Sequence, residues 1–218
     1  MEFKNYNVIL FDLDGTITDS KQGIIKSIQY SLSSFGIIEK DTNKLQEFIG
    51  PSLAESFKKY YDFDDYSVKK AIVKYREYYA KKGIFENLVY PLIPELLQKL
   101  YEENRDLILA TSKPEVYAEK VLNYFNLSIY FSLVVGSELD GTRVNKVEII
   151  SHALSRKGLK ASESIVMIGD RKHDIIGAKN VGIDSVGVLY GYGSMEELES
   201  VNPTFVAKSV GDLWKILL

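Results

Sequence analysis

The sequence contains no cysteine and only two histidines, His152 and His173. The absence of cysteine excludes disulfide bonds, thiolate-bound zinc, iron–sulfur clusters and a thiol nucleophile. Two histidines alone make a histidine-rich zinc site or a histidine-dependent catalytic triad difficult to assemble. We therefore expect any catalysis by this chain to depend on carboxylates.

Long apolar runs and a strong charge of either sign are also missing. No window approaches the roughly 18 to 20 apolar residues that a membrane-spanning helix needs, and the first residues do not read as a signal peptide. The formal net charge of −3 argues against a nucleic-acid partner held by charge alone. With 218 residues, 45% hydrophobic and 26% charged, the chain is expected to be a globular cytoplasmic protein without a membrane partner.

Short apolar segments alternate with amphipathic ones along most of the chain. Six apolar segments predict β-strands: 6–11, 106–111, 133–136, 164–169, 185–189 and 204–207. Four amphipathic segments between them are typical of helices: 93–103, 114–125, 146–157 and 175–181. This alternation indicates an α/β fold, with a doubly wound, mostly parallel sheet.

Residues 20–90 interrupt this alternation, because they contain no convincing strand and read as helices throughout. Ile24 and Ile28, for example, fall on one helical face. We therefore predict a helical domain at 20–90, inserted into an α/β domain made of 1–19 and 91–218. The insert has a small excess of basic residues, which fits either a lid over an anionic substrate or a solvated helical surface.

The first polar motif follows the strand predicted at 6–11. Asp12 and Asp14 are spaced i, i+2, so their carboxylates point to the same side while the chain is extended. Gly15 permits a turn that brings backbone N–H groups near an anion. The alternative is an ordinary Asp-Gly turn with solvated acids.

A second motif lies at the end of the strand predicted at 106–111. Ser112 and Glu115 have the spacing of a capping box, so Ser112 is interpreted as a helix N-cap. The hydroxyl of Thr111, at a strand end beside a helix N-terminus, is suited to bind a phosphate oxygen, because the helix dipole favours negative charge there.

The third motif places a lysine at the start of a helix. Asn145 and Glu148 resemble a capping pair, which puts Lys146 in the first helical turn, where a cation opposes the helix dipole. A nearby carboxylate or phosphate would compensate for this charge. An ordinary exposed lysine is the alternative.

The fourth motif follows the strand predicted at 164–169. Asp170 comes at the end of that strand, as Asp12 does at the end of its own, and such strand ends form the ligand crevice of open α/β sheets. Asp174 could serve only as a partner for the helix dipole. His173, among charged neighbours, is interpreted as solvent-facing rather than as a metal ligand.

Together, the four motifs predict a cluster of acids at one edge of the sheet. Several carboxylates there would repel one another unless a divalent cation lay among them. Oxygen ligands without imidazole or thiolate favour Mg²⁺. A phosphoryl group would then complete the charge balance.

These motifs, in this order, resemble the haloacid-dehalogenase-like phosphatases over essentially the whole chain. The family pattern is Asp-x-Asp-Gly-Thr, a later Thr or Ser, a Lys, and Gly-Asp-x-x-x-Asp. Residues 12–16, Thr111, Lys146 and 169–174 occupy these places. A helical insertion just after the first motif is a feature of the phosphoglycolate-phosphatase-like branch.

The resemblance implies roles for individual residues. Asp12 would be the nucleophile that forms an aspartyl-phosphate, and Asp14 would protonate the leaving oxygen and then activate water. Thr111 and Lys146 would hold the phosphoryl oxygens. The carboxylates of Asp12 and Asp170 and the backbone carbonyl of Asp14 would hold Mg²⁺. Asp174 would be a further ligand or an acid that supports the ligands from behind. Further candidates for substrate contact are Gly15, Thr16 and Ser112.

Two glycine-rich stretches, 136–143 and 187–193, are similar to the bacterial 5′-nucleotidase-like subgroup of that branch. The chain differs from the Lys-Pro pair common in relatives, since Val147 follows Lys146. This leaves both Lys146 and Arg143 as candidates for the working cation, with Lys146 favoured.

Substrate choice is expected to lie in the insert. Gly50 and Pro51 would shape a loop that resembles the family's substrate-contact element, although a plain turn between helices is equally compatible. Tyr75, Tyr78 and Tyr79 could stack on a nucleobase, but packing between helices is the preferred interpretation.

The sequence thus predicts a Mg²⁺-dependent phosphatase that acts, as a monomer or weak dimer, on a small phosphate ester. A nucleoside monophosphate and phosphoglycolate are the candidate substrates. A phosphosugar mutase of the β-phosphoglucomutase type and a noncatalytic phosphate-binding protein are the alternatives. A dehalogenase fits less well, because halide departure does not need the proton that Asp14 would supply.

Overall fold

The computed structural model describes residues 4–218, which fall into two units. One unit, the core unit, comprises the residues up to Thr18 together with Val89–Leu218. The other, the helical insert, is the continuous stretch Asp19–Leu88. The strands in chain order are β1 (Val8–Phe11), β2 (Thr18–Asp19), β3 (Leu88–Val89), β4 (Asp106–Pro114), β5 (Leu133–Ser137), β6 (Ile165–Gly169), β7 (Asp184–Val188) and β8 (Phe205–Ala207).

The helices are numbered in the same way. Those of the helical insert are α1 (Lys21–Ser33), α2 (Thr42–Gln46), α3 (Leu53–Tyr61) and α4 (Asp65–Tyr79), with a 3₁₀ turn at Gly83–Phe85. Those of the core unit are α5 (Ile93–Glu102), α6 (Glu115–Tyr124), α7 (Lys146–Arg156), α8 (Lys172–Val181), α9 (Met195–Glu199) and α10 (Val210–Leu217), with a 3₁₀ turn at Ser128–Tyr130.

A six-stranded sheet forms the centre of the core unit, in the order β5-β4-β1-β6-β7-β8. All its neighbouring strands are parallel. The six predicted strands are therefore confirmed, and so is the α/β fold. In the register, Phe11 lies opposite Leu109 on one side and Ile168 on the other. The chain consequently leaves β1 and β6 at the same edge of the sheet.

Both faces of the sheet are buried. Alternate residues such as Val8 and Leu10 pack with α7 and α8 in one apolar cluster. The intervening residues, such as Ile9 and Phe11, are also fully buried. Strands covered on both faces must be apolar throughout, which is why β1 reads as a continuous hydrophobic run.

The helical insert is held together largely by aromatic packing and capped helices. Asp41, Ser52 and Asp64 each cap the following helix by accepting a backbone N–H. Phe57 stacks on Phe63 at 5.8 Å between ring centroids. These contacts explain how a segment without a sheet buries its apolar side chains.

The sequence did not predict β2 and β3, the two-residue strands that form a separate small sheet. The expectation that residues 20–90 are helical throughout is wrong for Leu88 and Val89. Two residues are too few to show the alternation that identifies a strand. Among residues 4–218, no helix is both long enough and apolar enough to cross a bilayer.

Candidate active site

Three buried carboxylates meet at the carboxyl edge of the sheet. Asp12 follows β1, Asp170 follows β6, and Asp174 lies in the first turn of α8. One oxygen from each lies within 4.8 Å of the others. The parallel register places Asp12 and Asp170 at the same edge, and the short connection to α8 adds Asp174. The cluster predicted from the strand ends is therefore present.

Lys146 lies among these acids as the first residue of α7 and is buried. Its Nζ is 2.8 Å from Oδ1 of Asp12 and 2.7 Å from Oδ1 of Asp174. It also donates a hydrogen bond of 2.9 Å to the carbonyl oxygen of Ala110. Asn145 caps α7 by accepting from the N–H of Val147 at 2.8 Å. Both the predicted cap and the predicted carboxylate partner of Lys146 are confirmed.

Burial makes the charges in this cluster costly. It raises the pKa of Asp12 to about 6, although the charge of Lys146 lowers it. Burial also raises the pKa of Asp170 well above its ordinary value, and the charges of Asp174 and Asp12 add to this rise. Burial lowers the pKa of Lys146, but the charges of Asp12 and Asp174 outweigh it and raise the pKa overall. One lysine does not neutralise three acids.

The residues in this cluster fit a divalent cation. Asp170 is fully buried, and its Oδ1 has no hydrogen-bond partner among residues 4–218. A buried carboxylate oxygen without a partner is unfavourable in the metal-free protein. A hard cation such as Mg²⁺ prefers oxygen ligands and would supply both the missing partner and the missing positive charge.

Thr111 and Lys113 extend the site along β4. Thr111 is buried and forms a side-chain hydrogen bond with Asp12. Nζ of Lys113 lies 2.5 Å from Oδ2 of Asp14, and the side chain of Lys113 is only 5% exposed. Residues two apart in a strand point to the same face, so the pair Thr111 and Lys113 meets the pair Asp12 and Asp14. Lys113 was not predicted as a site residue, although its spacing from Thr111 could have identified it.

The interpretation of Ser112 as a helix N-cap is wrong. Strand β4 continues to Pro114, which occupies the cap position of α6. The Oγ of Ser112 instead donates to the carbonyl oxygen of Val144 at 3.2 Å. The register with β5 shifts between Ala110 and Pro114, and the segment stays extended beyond the predicted strand end.

The backbone N–H groups of the turn after Asp14 form hydrogen bonds within the turn itself. Gly15 has a φ of +87°, as a left-handed turn residue requires. Its N–H donates to the carbonyl oxygen of Thr18 at 2.7 Å, and the N–H of Thr16 donates to that of Leu13 at 3.3 Å. The expected approach of these N–H groups to an anion is therefore not available in this conformation. Thr16 is fully buried, and its Oγ1 has no hydrogen-bond partner in the described part of the chain.

Arg143 and His173 lie outside the carboxylate cluster. The guanidinium of Arg143 pairs with Glu138, and its Nε donates to the carbonyl oxygen of Gly136 at 2.9 Å. Lys146, and not Arg143, is the cation in contact with Asp12. His173 is exposed, as predicted.

A loop after β7, within the glycine-rich stretch 187–193, contacts the site although it was not predicted to belong to it. The N–H of Tyr192 donates to Oδ2 of Asp170 at 2.8 Å. The hydroxyl of Tyr190 donates to the carbonyl oxygen of Thr16 at 3.1 Å. The two glycines beside Tyr192 are the signal that could have drawn attention to this loop.

Within the helical insert, Gly50 and Pro51 lie between α2 and α3, in the predicted loop. Tyr75 and Tyr79 are buried and stacked on each other at 5.4 Å, so the preferred interpretation as packing residues is confirmed for both. Tyr78 contacts Tyr30, with 5.6 Å between ring centroids.

Comparison with known proteins agrees with this geometry. The family described as haloacid dehalogenase-like hydrolase matches residues 9–188. A 5′-nucleotidase from Pseudomonas aeruginosa is 44% identical over 212 residues, covering 97% of this chain and 96% of the relative. A phosphoglycolate phosphatase from Vibrio parahaemolyticus is 27% identical over 225 residues, covering 100% and 98%. The crystal structure of a candidate phosphatase from Clostridium difficile superimposes with a TM-score of 0.89 and 55% identity, covering 99% and 100%.

The α/β sheet carries a buried cluster of acids and a lysine at its carboxyl edge. Together with relatives named as phosphatases, this places the chain among hydrolytic enzymes of the phosphatase type. The chain belongs to the haloacid dehalogenase-like hydrolases.

Proposed function

We propose that the protein is a Mg²⁺-dependent phosphatase that hydrolyses small phosphate monoesters through an aspartyl-phosphate on Asp12. The observation that carries this proposal is the contact of Asp12 with Lys146 inside a buried cluster of acids. A carboxylate is a weak nucleophile, and a fixed cation beside it can hold the phosphoryl oxygens against it.

The proposed reaction consists of two displacements. An oxygen of Asp12 attacks phosphorus, the ester P–O bond breaks, and Asp14 gives a proton to the leaving oxygen. Water then attacks the phosphorus, Asp14 takes its proton, and the bond to Asp12 breaks to release phosphate. Thr111 and Lys146 hold phosphoryl oxygens in both displacements.

Asp12, Asp170, Asp174 and the backbone carbonyl of Asp14 are proposed to hold Mg²⁺. When bound, the ion would supply positive charge to the phosphoryl group and to the ionised acids around it. Lys113, paired with Asp14, holds the carboxylate that must move the proton.

The substrate proposed is a nucleoside 5′-monophosphate. The support is the 44% identity, over nearly the full length of both chains, to a protein named 5′-nucleotidase. Phosphoglycolate is the second candidate, supported by the 27% identical relative named for that substrate. In both cases Thr16 and Ser112 would contact the substrate through their hydroxyls, and Gly15 would contribute by shaping the turn that carries Asp14.

The helical insert is proposed to act as a lid that selects the substrate. Its predicted bounds are residues 20–90. Gly50 and Pro51 are its proposed contact loop. We further propose that the enzyme acts in the cytoplasm, as a monomer or weak dimer.

The test is a panel of phosphate esters assayed with Mg²⁺ and with a chelator. Nucleoside monophosphates, phosphoglycolate and hexose phosphates are compared by phosphate release, and sugar products are checked for isomerisation. We expect the highest kcat/KM for a 5′-nucleotide and no release with chelator. Asp12→Asn should abolish turnover, whereas Asp62→Asn, at an exposed left-handed helix cap that asparagine tolerates, should not.

Each opposite result has a distinct meaning. Normal activity of Asp12→Asn would refute the nucleophile assignment. Isomerised sugar phosphate without free phosphate would identify a mutase instead. Binding without turnover of any ester would leave a noncatalytic phosphate-binding protein.

A further inference from the structure

The loop Tyr190-Gly191-Tyr192-Gly193, here called the 190–193 loop, connects β7 with α9 in the core unit. It makes two hydrogen bonds to the site. The N–H of Tyr192 donates to Oδ2 of Asp170, and the hydroxyl of Tyr190 donates to the carbonyl oxygen of Thr16. The loop therefore joins the segment after β6 to the turn after β1.

The two glycines of this loop lie against the site with no room for a side chain. A Cβ at Gly191 would lie 2.2 Å from the carbonyl oxygen of Gly15 and 2.4 Å from Cβ of Asp170. A Cβ at Gly193 would lie 1.9 Å from the carbonyl oxygen of Asp170. Such distances require the backbone or Asp170 to move, because carbon and oxygen atoms that are not bonded do not approach so closely.

These contacts fix how Asp170 presents its two oxygens. Oδ2 is occupied by the N–H of Tyr192, while Oδ1 is the oxygen without a hydrogen-bond partner among residues 4–218. A carboxylate held through one oxygen has its other oxygen fixed in direction. Side chains and backbone groups that orient a metal ligand commonly contribute 10- to 100-fold to metal affinity.

We propose that the 190–193 loop is a positioning element for Asp170, and that Gly191, Gly193 and the N–H of Tyr192 set its orientation toward a divalent cation. This inference rests on the proposed metal centre. The loop itself touches no substrate in the proposal. It acts through Asp170 and through the turn that carries Asp14.

The choice of cation distinguishes positioning from general support of the fold. Mg²⁺ requires near-octahedral ligands at about 2.0–2.1 Å, whereas Ca²⁺ accepts irregular geometry at about 2.3–2.6 Å. Movement of Asp170 should therefore weaken Mg²⁺ binding more than Ca²⁺ binding. Partial unfolding would weaken both alike.

The experiment measures the Kd of Mg²⁺ and of Ca²⁺ by calorimetric titration of the full-length protein without substrate. The variants are Gly191→Ala, Gly193→Ala and Tyr190→Phe. Gly211→Ala is the matched control, because its new Cβ would meet no atom closer than 3.6 Å. Thermal unfolding of each metal-free variant reports whether the fold is retained.

We expect the two loop glycine variants to raise the Kd of Mg²⁺ by about 10-fold or more and that of Ca²⁺ by clearly less. Tyr190→Phe, which removes one hydroxyl and keeps the ring, should also raise the ratio of the Mg²⁺ Kd to the Ca²⁺ Kd, but by a smaller factor. Gly211→Ala should leave both Kd values unchanged.

An unchanged Mg²⁺ Kd in folded Gly191→Ala or Gly193→Ala protein would overturn the inference. An equal rise for both ions would also overturn it. If the glycine variants do not fold, the inference is tested by Tyr190→Phe alone. An unchanged ratio of the Mg²⁺ Kd to the Ca²⁺ Kd in that variant would overturn it. Failure of the unmodified protein to bind Mg²⁺ would instead refute the proposed metal centre itself.

Discussion

The pKa values of the buried site acids Asp12 and Asp170 and that of Glu39 in the helical insert are shifted in opposite directions. In the core unit, burial raises the pKa of Asp12 to about 6 and that of Asp170 well above its ordinary value. In the insert, hydrogen bonds from the N–H of Asp41 and from Lys44 lower the pKa of Glu39 to about 2. The charge of Glu39 thus favours the folded state, whereas the ionised forms of Asp12 and Asp170 oppose folding of the metal-free protein.

The ion pairs of two lysines, one in each unit, differ in burial in the same way. Lys113 and Asp14 form a pair of 2.5 Å with side chains only 5% and 15% exposed. Lys26 and Glu86, in the insert, form a pair of 2.6 Å with side chains 40% and 26% exposed. The two pairs have nearly the same separation, but water screens the attraction between Lys26 and Glu86 more than that between Lys113 and Asp14. Unfavourable burial of charge that the fold nevertheless maintains is a mark of a functional site.

The largest effect is expected from Lys146→Met. This change leaves Asp12 and Asp174 without their cation, and it should lower kcat/KM by at least about 10²- to 10³-fold, as loss of a transition-state donor does. Breaking a buried ion pair should also cost about 3–5 kcal/mol of stability in the metal-free protein.

The matched control for Lys146→Met is Lys157→Met. Lys157 follows the same helix, but its pair with Asp106, at 2.9 Å, is partly exposed to solvent, with side chains 28% and 29% exposed. It should change stability by about 1 kcal/mol or less and leave kcat/KM unaltered. Similar losses in the two variants, by steady-state kinetics and thermal unfolding, would contradict the contrast between buried and exposed charge.

The second prediction compares Lys113→Met with Lys26→Met. Lys113→Met should lower kcat/KM by roughly 10-fold or more, a part of the 10²- to 10⁴-fold that acid–base catalysis supplies, because Asp14 loses the group that holds it. Lys113→Arg should retain more activity than Lys113→Met. Lys26→Met should leave stability nearly unchanged, because water screens its pair with Glu86. Equal kinetic effects of Lys113→Met and Lys26→Met would show that burial does not distinguish the two pairs.

The third prediction concerns pH. Folding raises the pKa of Asp12 from 3.8 to about 6, so the folded metal-free protein binds a proton that the unfolded chain releases. Its stability should therefore fall as pH rises from about 3.8 to about 6. Folding lowers the pKa of Glu39 from 4.5, so its contribution is present above pH 4.5 and is lost as pH falls toward about 2.

Thermal unfolding with chelator across this pH range tests both signs. Asp12→Asn should flatten the decline between pH 3.8 and 6, and Glu39→Gln should reduce the loss at lower pH. Mg²⁺ should stabilise the protein more as pH rises, since its ligands must be ionised. The prediction for Asp12 would be contradicted if the stability of the metal-free protein rose with pH up to pH 6 and Asp12→Asn abolished that rise.

The smallest effect is expected from Pro51→Ala in the proposed contact loop of the insert. The ratio of kcat/KM between a nucleoside monophosphate and phosphoglycolate should change by roughly 10-fold or less, the range of a few altered contacts. Kinetics with both substrates measure it. An unchanged ratio would leave the loop as a plain turn between helices.

Much of the core unit could be predicted from the sequence because its signals are local. Continuous apolar runs gave the six strands, and the polar residues directly after them, Asp12 and Asp170, had to meet where parallel strands end. Lys146 followed from its place in the first turn of a helix. In each case a short stretch of sequence determined the position.

What could not be predicted depends on contacts between distant segments. The shift in register between β4 and β5 placed Ser112 in a strand rather than at a helix cap. The partner of Lys113 lies in a different motif, at Asp14. The amides of Gly15 and Thr16 were expected to face a ligand, but the turn satisfies them internally. None of these contacts leaves a periodic pattern.

The central position of β1 has a consequence for how the chain is synthesised. Val8 lies opposite Asp106 and Ile165, so β1 acquires its second neighbour only after β6, more than 150 residues later in the sequence, has been made. The helical insert is one continuous segment and can form its contacts earlier. Until β4 has been made, the apolar segment Val8–Phe11 has no sheet partner, and protection against aggregation by a chaperone would matter for it during that time.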